Sequence, residues 1–206
     1  MLKRELERVL NTVPHHPSPK AELEQYATPS TLAATLLWLA EHHFGDIADK
    51  VVADLGAGTG RLGIGAALLG AYKVVLVEVD DESIRQAWTW VKDYGIDIRF
   101  DALVADVNNL PLRSGFLFDT VVQNPPFGVH RRGADMAFLR TASRVARVVY
   151  SIHKESSIDY VVENAIGWGF KVLKVYSEKI CLPWMFEWHK KRRHCFPVVV
   201  IRLERV

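Results

Sequence analysis

Val51-Val52-Ala53-Asp54 is a short apolar run with a closing acid, and Leu55-Gly56-Ala57-Gly58-Thr59-Gly60 separates it from an apolar helical pattern running from about Arg61 to Leu69. A run of that length bounded by glycines reads as a buried strand. Alternating glycines between strand and helix let the backbone approach a ligand closely and point helix amides at it. The unit therefore commits the chain to an α/β fold with a ligand at the strand end. The pattern Asp-x-Gly-x-Gly-x-Gly departs from the dinucleotide fingerprint, whose third glycine comes three residues after the second. No Lys-Ser or Lys-Thr follows it, which argues against a phosphate-gripping P-loop.

The same alternation continues along the chain. Lys73 to Glu78 reads as a strand, Ser83 to Trp90 as a helix, and residues 97–104 contain a third strand closed by Ala105-Asp106-Val107. Phe118 to Gln123 is a further strand, followed by a helix over Met136–Arg147, a strand over Val148–Ile152 and a helix over Ser156–Gly167. Residues 170–180 and 196–203 are expected to pair as antiparallel strands. With right-handed crossovers these elements make a seven-stranded, mostly parallel sheet with a C-terminal antiparallel hairpin and helices on both faces. A chain of 206 residues suits one such domain. Residues 1–22 would supply an amphipathic helix (Leu2, Leu6, Val9 and Leu10 on one face) and a Pro-rich connector, and 23–206 the main fold.

Chemistry gathers at the strand ends. Asp54, Glu78 and Asp106 are acids at successive ends, and Glu78 lies about twenty residues beyond the glycines, where a carboxylate can accept ribose hydroxyls. Asp80 and Asp81 are expected instead to cap the next helix. Asn124-Pro125-Pro126-Phe127 ends the fourth strand, because consecutive prolines cannot donate to a ladder. That corner presents Asn124 at the carboxyl edge of the sheet, where ligands of open α/β sheets bind. Gln25, Tyr26 and Thr28 are polar residues before a helix that Thr28 or Ser30 could cap.

Charge is nearly balanced, 26 basic against 24 acidic residues, so any nucleic-acid surface has to be local. Two such places exist: Arg131 and Arg132 in a cationic loop after Phe127, and Lys190-Lys191-Arg192-Arg193 beside Trp184, Phe186 and Trp188, a candidate RNA-binding rim. Cys181 and Cys195 lack zinc spacing and are expected to be reduced thiols in a cytoplasmic protein, a single bridge between them being the other possibility. His15 and His16 are read as solvated loop residues, and no metal is expected. The start of the chain alternates charge with leucine, unlike a signal peptide, and no apolar stretch reaches membrane-spanning length.

The glycine loop, the acids at the strand ends and Asn-Pro-Pro-Phe, in this order, resemble the class I S-adenosylmethionine-dependent methyltransferases with a Rossmann-like fold, in their amino-group branch. Within it, Leu23-Glu24-Gln25-Tyr26-Ala27-Thr28, Asn124 to Gly128, Asp135-Met136-Ala137-Phe138-Leu139 and Tyr150-Ser151-Ile152-His153-Lys154 resemble the methyltransferase-like protein five family, in a prokaryotic or archaeal form. The resemblance implies N6-methylation of adenosine in small-subunit ribosomal RNA. It places the cofactor S-adenosyl-L-methionine on Gln25, Thr28, Asp54, Gly56, Thr59, Arg61, Glu78, Asp106, Val107 and Asn124, and catalysis on Asn124, Pro125, Pro126 and Phe127. It also implies a small zinc-binding activator that adds a strand to the third-strand edge, where Ile96, Ile98, Phe100 and Leu103 are apolar. Two departures stand out: the family usually has Asp where Glu78 stands, and Thr59 and Arg61 replace smaller or apolar residues.

An exocyclic adenine amine is a poor nucleophile because its lone pair is delocalised into the ring. Acceptors on Asn124 and Pro125 that take its hydrogens, with Phe127 stacked on the base, would turn the lone pair towards the methyl donor by position and electrostatics alone. The base has to be unpaired or flipped out. A glutamine carboxamide poses the same problem at a similar corner, usually with Tyr, so protein glutamine-N5 methylation is the rival activity. A non-catalytic RNA-binding module on the same fold is the rival of a different class.

Overall fold

The computed structural model describes residues 1–16, 18–20, 23–128, 133–183 and 193–206, with the backbone alone at 182, 183, 193 and 194. The elements are α1 (Lys3–Leu10), α2 (Ser30–His42), β1 (Val51–Leu55), α3 (Arg61–Leu68), β2 (Lys73–Glu78), α4 (Asp81–Asp93), β3 (Phe100–Val104), β4 (Phe118–Gln123), α5 (Ala134–Val145), β5 (Ala146–Lys154), α6 (Ile158–Gly167), β6 (Phe170–Pro183) and β7 (Arg193–Arg205). They build a seven-stranded sheet in the order β3-β2-β1-β4-β5-β7-β6. Strands β1 to β5 are parallel, and β7 runs antiparallel to both β5 and β6.

Side chains alternate across a strand, and the buried residues sort by parity. Val52, Val74, Leu76, Val122, Tyr150, Ile152, Val198 and Val200 face a core shared with α1 to α4. Ala53, Leu55, Val77, Val121, Val149, Val199, Ile201 and Leu203 face a second core with α5 and α6. Both faces being covered explains the near-continuous apolar runs of the central strands. The stripe of α1 docks on the first core through fully buried Leu6 and Leu10. At this junction Gly65 of α3 is needed, since a Cβ there would collide with Leu37 of α2 and press on Leu10 of α1.

Several expectations are corrected. Neither Thr28 nor Ser30 caps α2, because their hydroxyls are engaged elsewhere: Thr28 accepts from Asn124 (3.0 Å) and Ser30 donates to Asn11 (3.3 Å). The third strand lies within residues 97–104 as expected, beginning at Phe100, but residues 97–99 form a 3-10 turn that leaves Ile98 outside it. Phe100 is buried, Ile96 packs against the core, and the large apolar groups left exposed at this edge are Ile98 and Val104. Cys181 and Cys195 form a disulfide instead of standing as reduced thiols. They are direct partners in the β6–β7 register, which brings their Cα atoms to 4.0 Å. The hairpin strands are also longer than the sequence reading gave, since the antiparallel pairing continues to Pro183 and Arg193.

Candidate active site

A cavity of about 490 Å³ lies at the carboxyl ends of the parallel strands, a volume suited to a cofactor-sized ligand. Its floor is the turn from β1 to α3, with Gly56, Gly58 and Gly60 all at positive φ. At Gly58 a Cβ would meet nothing within 4 Å, so backbone faces open cavity there, whereas at Gly56 it would meet the Phe138 ring at 2.6 Å. Phe138, on the first turns of α5, thus closes one wall. Residues 15–16 and 23–28 form the opposite wall.

All ten residues expected to hold the cofactor line this cavity: Gln25, Thr28, Asp54, Gly56, Thr59, Arg61, Glu78, Asp106, Val107 and Asn124. Their present partners separate them into groups. Glu78 accepts from the amides of Gly58 (2.8 Å), Val79 (2.9 Å) and Asp80 (3.1 Å), so its carboxylate fixes the glycine loop and the next turn together. Asp106 accepts from the backbone and side chain of Asn108 through one oxygen, and its other oxygen takes no hydrogen bond among the described residues. Thr59 and Arg61 turn to the N-terminal connector: Thr59 donates to the Pro14 carbonyl (2.7 Å), and Arg61 to those of Thr28 (2.6 Å) and Val13 (3.0 Å). Their side chains anchor the connector over the glycine loop, which accounts for their departure from smaller residues.

Asp54 is fully enclosed and accepts from the Gly63 amide at 2.7 Å. Burial pushes its pKa from 3.8 up to about 7, against the pull of that amide and with the help of nearby Glu78.

Asp80 caps α4 as expected, accepting from Glu82, and does more. It receives His16 (2.8 Å), Lys20 (3.2 Å) and Gln25 (2.7 Å) from the wall segment. Burial opposes its ionisation, but these hydrogen bonds hold its pKa below the ordinary value. His16 is therefore not a solvated loop residue: its side chain is 5% exposed, and its Nδ1 accepts from the Ser18 amide, leaving Nε2 to donate to Asp80. A loop histidine followed by prolines carried no signal of this; the acid at position 80, two residues after Glu78, was read only as a cap. Among the described residues no group of three or more His, Cys, Asp or Glu is placed to hold a metal ion, and no helix is long and apolar enough to cross a membrane.

Of the corner after β4, Asn124 and Pro126 line the cavity. Asn124 donates to Thr28, while its Oδ1 is buried and has no hydrogen-bond partner among the described residues. The Phe127 ring stands edge-on to Phe196 at 5.1 Å, with the Lys154 ammonium 5.7 Å from one ring centre and 5.5 Å from the other. Phe196 and Lys154 were not singled out from the sequence. Arg131, Arg132, Lys190, Lys191 and Arg192 lie outside the described residues, and Arg193 is described only as the first residue of β7.

The methyltransferase small domain family matches residues 33–164. An uncharacterized protein of Methanocaldococcus jannaschii is 37% identical over 99% of this chain and 94% of its own length. The zebrafish rRNA N(6)-adenosine-methyltransferase METTL5 is 37% identical over 98% of both chains. A solved structure described as a candidate RNA methyltransferase from Pyrococcus horikoshii superposes with a TM-score of 0.90 at 39% identity, over 100% of this chain and 98% of that one. An Asp-Gly loop at the floor of the cavity, an Asn-Pro-Pro-Phe corner that sends Asn124 and Pro126 to its wall and full-length likeness to these proteins coincide: the chain belongs to the methyltransferase small domain family, in the group that contains the METTL5 proteins.

Proposed function

We propose that this protein transfers a methyl group from S-adenosyl-L-methionine to N6 of an adenosine in structural RNA, small-subunit ribosomal RNA in the first place. The observation that carries the reading is the state of the Asn124 amide. Its nitrogen is occupied by Thr28, which turns Oδ1, buried and unpartnered, into the place where a donor has to arrive. A buried acceptor left without a partner costs about 1–3 kcal/mol. An incoming amine N–H removes that cost, so the corner favours a substrate with hydrogens to give.

The cofactor supplies an electrophilic methyl group on a positively charged sulfur. The cavity suits it: open backbone at Gly58, an Asp106 oxygen free for an amino group, the Glu78 carboxylate beside the loop and the buried Asp54 acid. In this reading Gln25 and Thr28 close over the methionine end, Glu78 takes the ribose hydroxyls, and Asp106 with Val107 meets the adenine. Asn124 Oδ1 and the Pro125 carbonyl accept the two amine hydrogens, Pro126 keeps the corner rigid, and Phe127 stacks on the target base. Orientation and placed dipoles then supply the rate. The names of the METTL5 relatives and the basic runs at Arg131-Arg132 and Lys190 to Arg193 in the sequence support RNA over a protein glutamine.

The whole chain, 1–206, acts in this reading as one domain, in the cytoplasm. Strand β3 pairs only with β2 among the described residues and exposes Val104, with Ile98 exposed on the 3-10 turn just before it. That edge suits a small zinc-binding activator adding a strand.

Methyl incorporation measured in parallel on ribosomal RNA and on a release factor, followed by nucleoside mass spectrometry, tests the reading. N6-methyladenosine is expected in the RNA only, and Asn124→Ala should lower the rate roughly 100-fold or more. Label in the protein alone, or an undiminished Asn124→Ala rate, would reject it.

A further inference from the structure

We propose that His153 is a positioning residue for the catalytic corner: one buried imidazole anchors both ends of the segment joining β4 to α5 and thereby sets where Asn124 stands. The inference rests on the adenine reading above.

Asp135 at the start of α5 and Ser151-Ile152-His153 in β5 belong to the two segments of the chain that carried the family resemblance without acquiring a role. In the fold they meet. Gln123, the residue before Asn124, pairs in register with Ser151 and donates from Nε2 to the Ser151 hydroxyl at 3.0 Å. That hydroxyl lies 2.7 Å from His153 Nε2, and His153 Nδ1 lies 3.6 Å from the Asp135 carboxylate. Gln123, Ser151 and His153 are all at most 1% exposed. None of the three lines the cavity, so the set cannot act on substrate directly.

The Gln123 amide nitrogen can only donate, so the Ser151 oxygen accepts from it, which leaves the hydroxyl proton available to His153 Nε2. In that arrangement a neutral imidazole carries its own proton on Nδ1, facing Asp135. Dipoles aligned towards an anion reinforce one another in a buried setting. His153 in turn holds the Asp135 carboxyl below its usual pKa, against the opposite pull of burial.

Apolar residues of the same size would hold two strands and a helix together without the cost of burying three polar side chains beside a partly exposed carboxylate. What the polar chain adds is a directional link from Gln123 through Ser151 to His153, whose ring faces Asp135 across the Asn124 corner and its following loop. At 3.6 Å the last link is longer than a hydrogen bond, and among the described residues His153 Nδ1 has no hydrogen-bond partner. Seating of the substrate therefore has one bond left to complete, between α5 and the strand behind the corner.

The test uses the full chain with saturating S-adenosyl-L-methionine on deproteinised small-subunit ribosomal RNA, in single turnover, alongside calorimetric cofactor affinity and thermal midpoints. His153→Ala is expected to slow methyl transfer roughly tenfold or more, with cofactor and RNA affinity within about threefold of wild type. His153→Asn keeps a donor towards Asp135 and should recover part of the rate; Ser151→Ala should lose rate in the same pattern. Should His153→Ala fail to fold, Ser151→Ala and Asp135→Asn decide by the same criteria. Wild-type transfer by the folded variants overturns this inference alone, and so does a loss explained entirely by weaker cofactor binding. A wild-type protein that makes no N6-methyladenosine overturns the adenine reading and this inference with it.

Discussion

Replacing Asp54 by Asn should make the ligand-free protein more stable at pH 8, although it removes an acid from the heart of the site. The Asp54 carboxyl titrates near 7 in the fold and 3.8 in a free chain, because burial disfavours its ionised form. For an acid whose folded pKa is raised, the native state holds the proton more tightly. Stability is therefore greatest at or below about pH 4 and declines as pH climbs towards about 7, levelling off above. At about 1.4 kcal/mol per pH unit, the span from 3.8 to about 7 amounts to roughly 4 kcal/mol. Asn keeps an oxygen for the Gly63 amide and carries no charge at any pH. The variant should thus gain up to about 4 kcal/mol at pH 8, on the order of 5–15 °C in melting temperature for a chain of this size. Near pH 4.5 it should gain little. Thermal unfolding of the ligand-free protein from pH 4.5 to 8.5, for both forms, measures this directly, and a titration with S-adenosyl-L-methionine should show the variant binding more weakly. A variant equally destabilised at both ends of the pH range would show that Asp54 is an ordinary ionised hydrogen-bond acceptor, and the reasoning would fail.

Asp80→Asn should loosen the segment held by His16, Lys20 and Gln25 and speed cofactor release several-fold in stopped-flow displacement, with melting temperature falling by only a few degrees, about 1–2 kcal/mol for weakened charge-assisted bonds. Gly65→Ala should cost roughly 1–3 kcal/mol in urea unfolding, since the added methyl group collides with Leu37 where α1, α2 and α3 meet. Cys195→Ser should lower stability by about 3 kcal/mol relative to the oxidised protein and match wild type under reductant, because the bridge closes a loop of 14 residues. Identical melting of oxidised and reduced wild type would refute that.

The architecture was legible where the period of the apolar residues was unambiguous. The runs at 51–54, 73–78 and 118–123 are short, β-branched and ended by Gly, Asp or Pro, and each became a parallel strand. The acidic lining of the cavity was legible because acids at strand ends have one common destination in a doubly wound sheet. What stayed hidden was set by contacts remote in sequence. His16 reaches Asp80 across 64 positions, and Thr28 orients Asn124 across 96. Local patterning carries no trace of such pairs. The cysteines were misread for a related reason: compartment-based reasoning about thiols could not anticipate that strand register would set Cys181 directly against Cys195. At β3 the apolar letters were correct and their placement was not, because a 3-10 turn removes Ile98 from the strand.

The order β5-β7-β6 has a consequence for how the protein is made. Strand β7 emerges after β6 yet lies between it and β5, and it brings Val198, Val199, Val200, Ile201 and Leu203 into both cores. Until residues 193–205 have left the ribosome, β5 is an open edge and β6 has no neighbour to pair with. A nascent chain at that stage can assemble the parallel half around β1 and β4 but not the side that carries Phe196 towards Phe127. Completion of the sheet thus waits for β7, and until then the unfinished edge of β5 is the surface on which chaperone capture or mispairing would act.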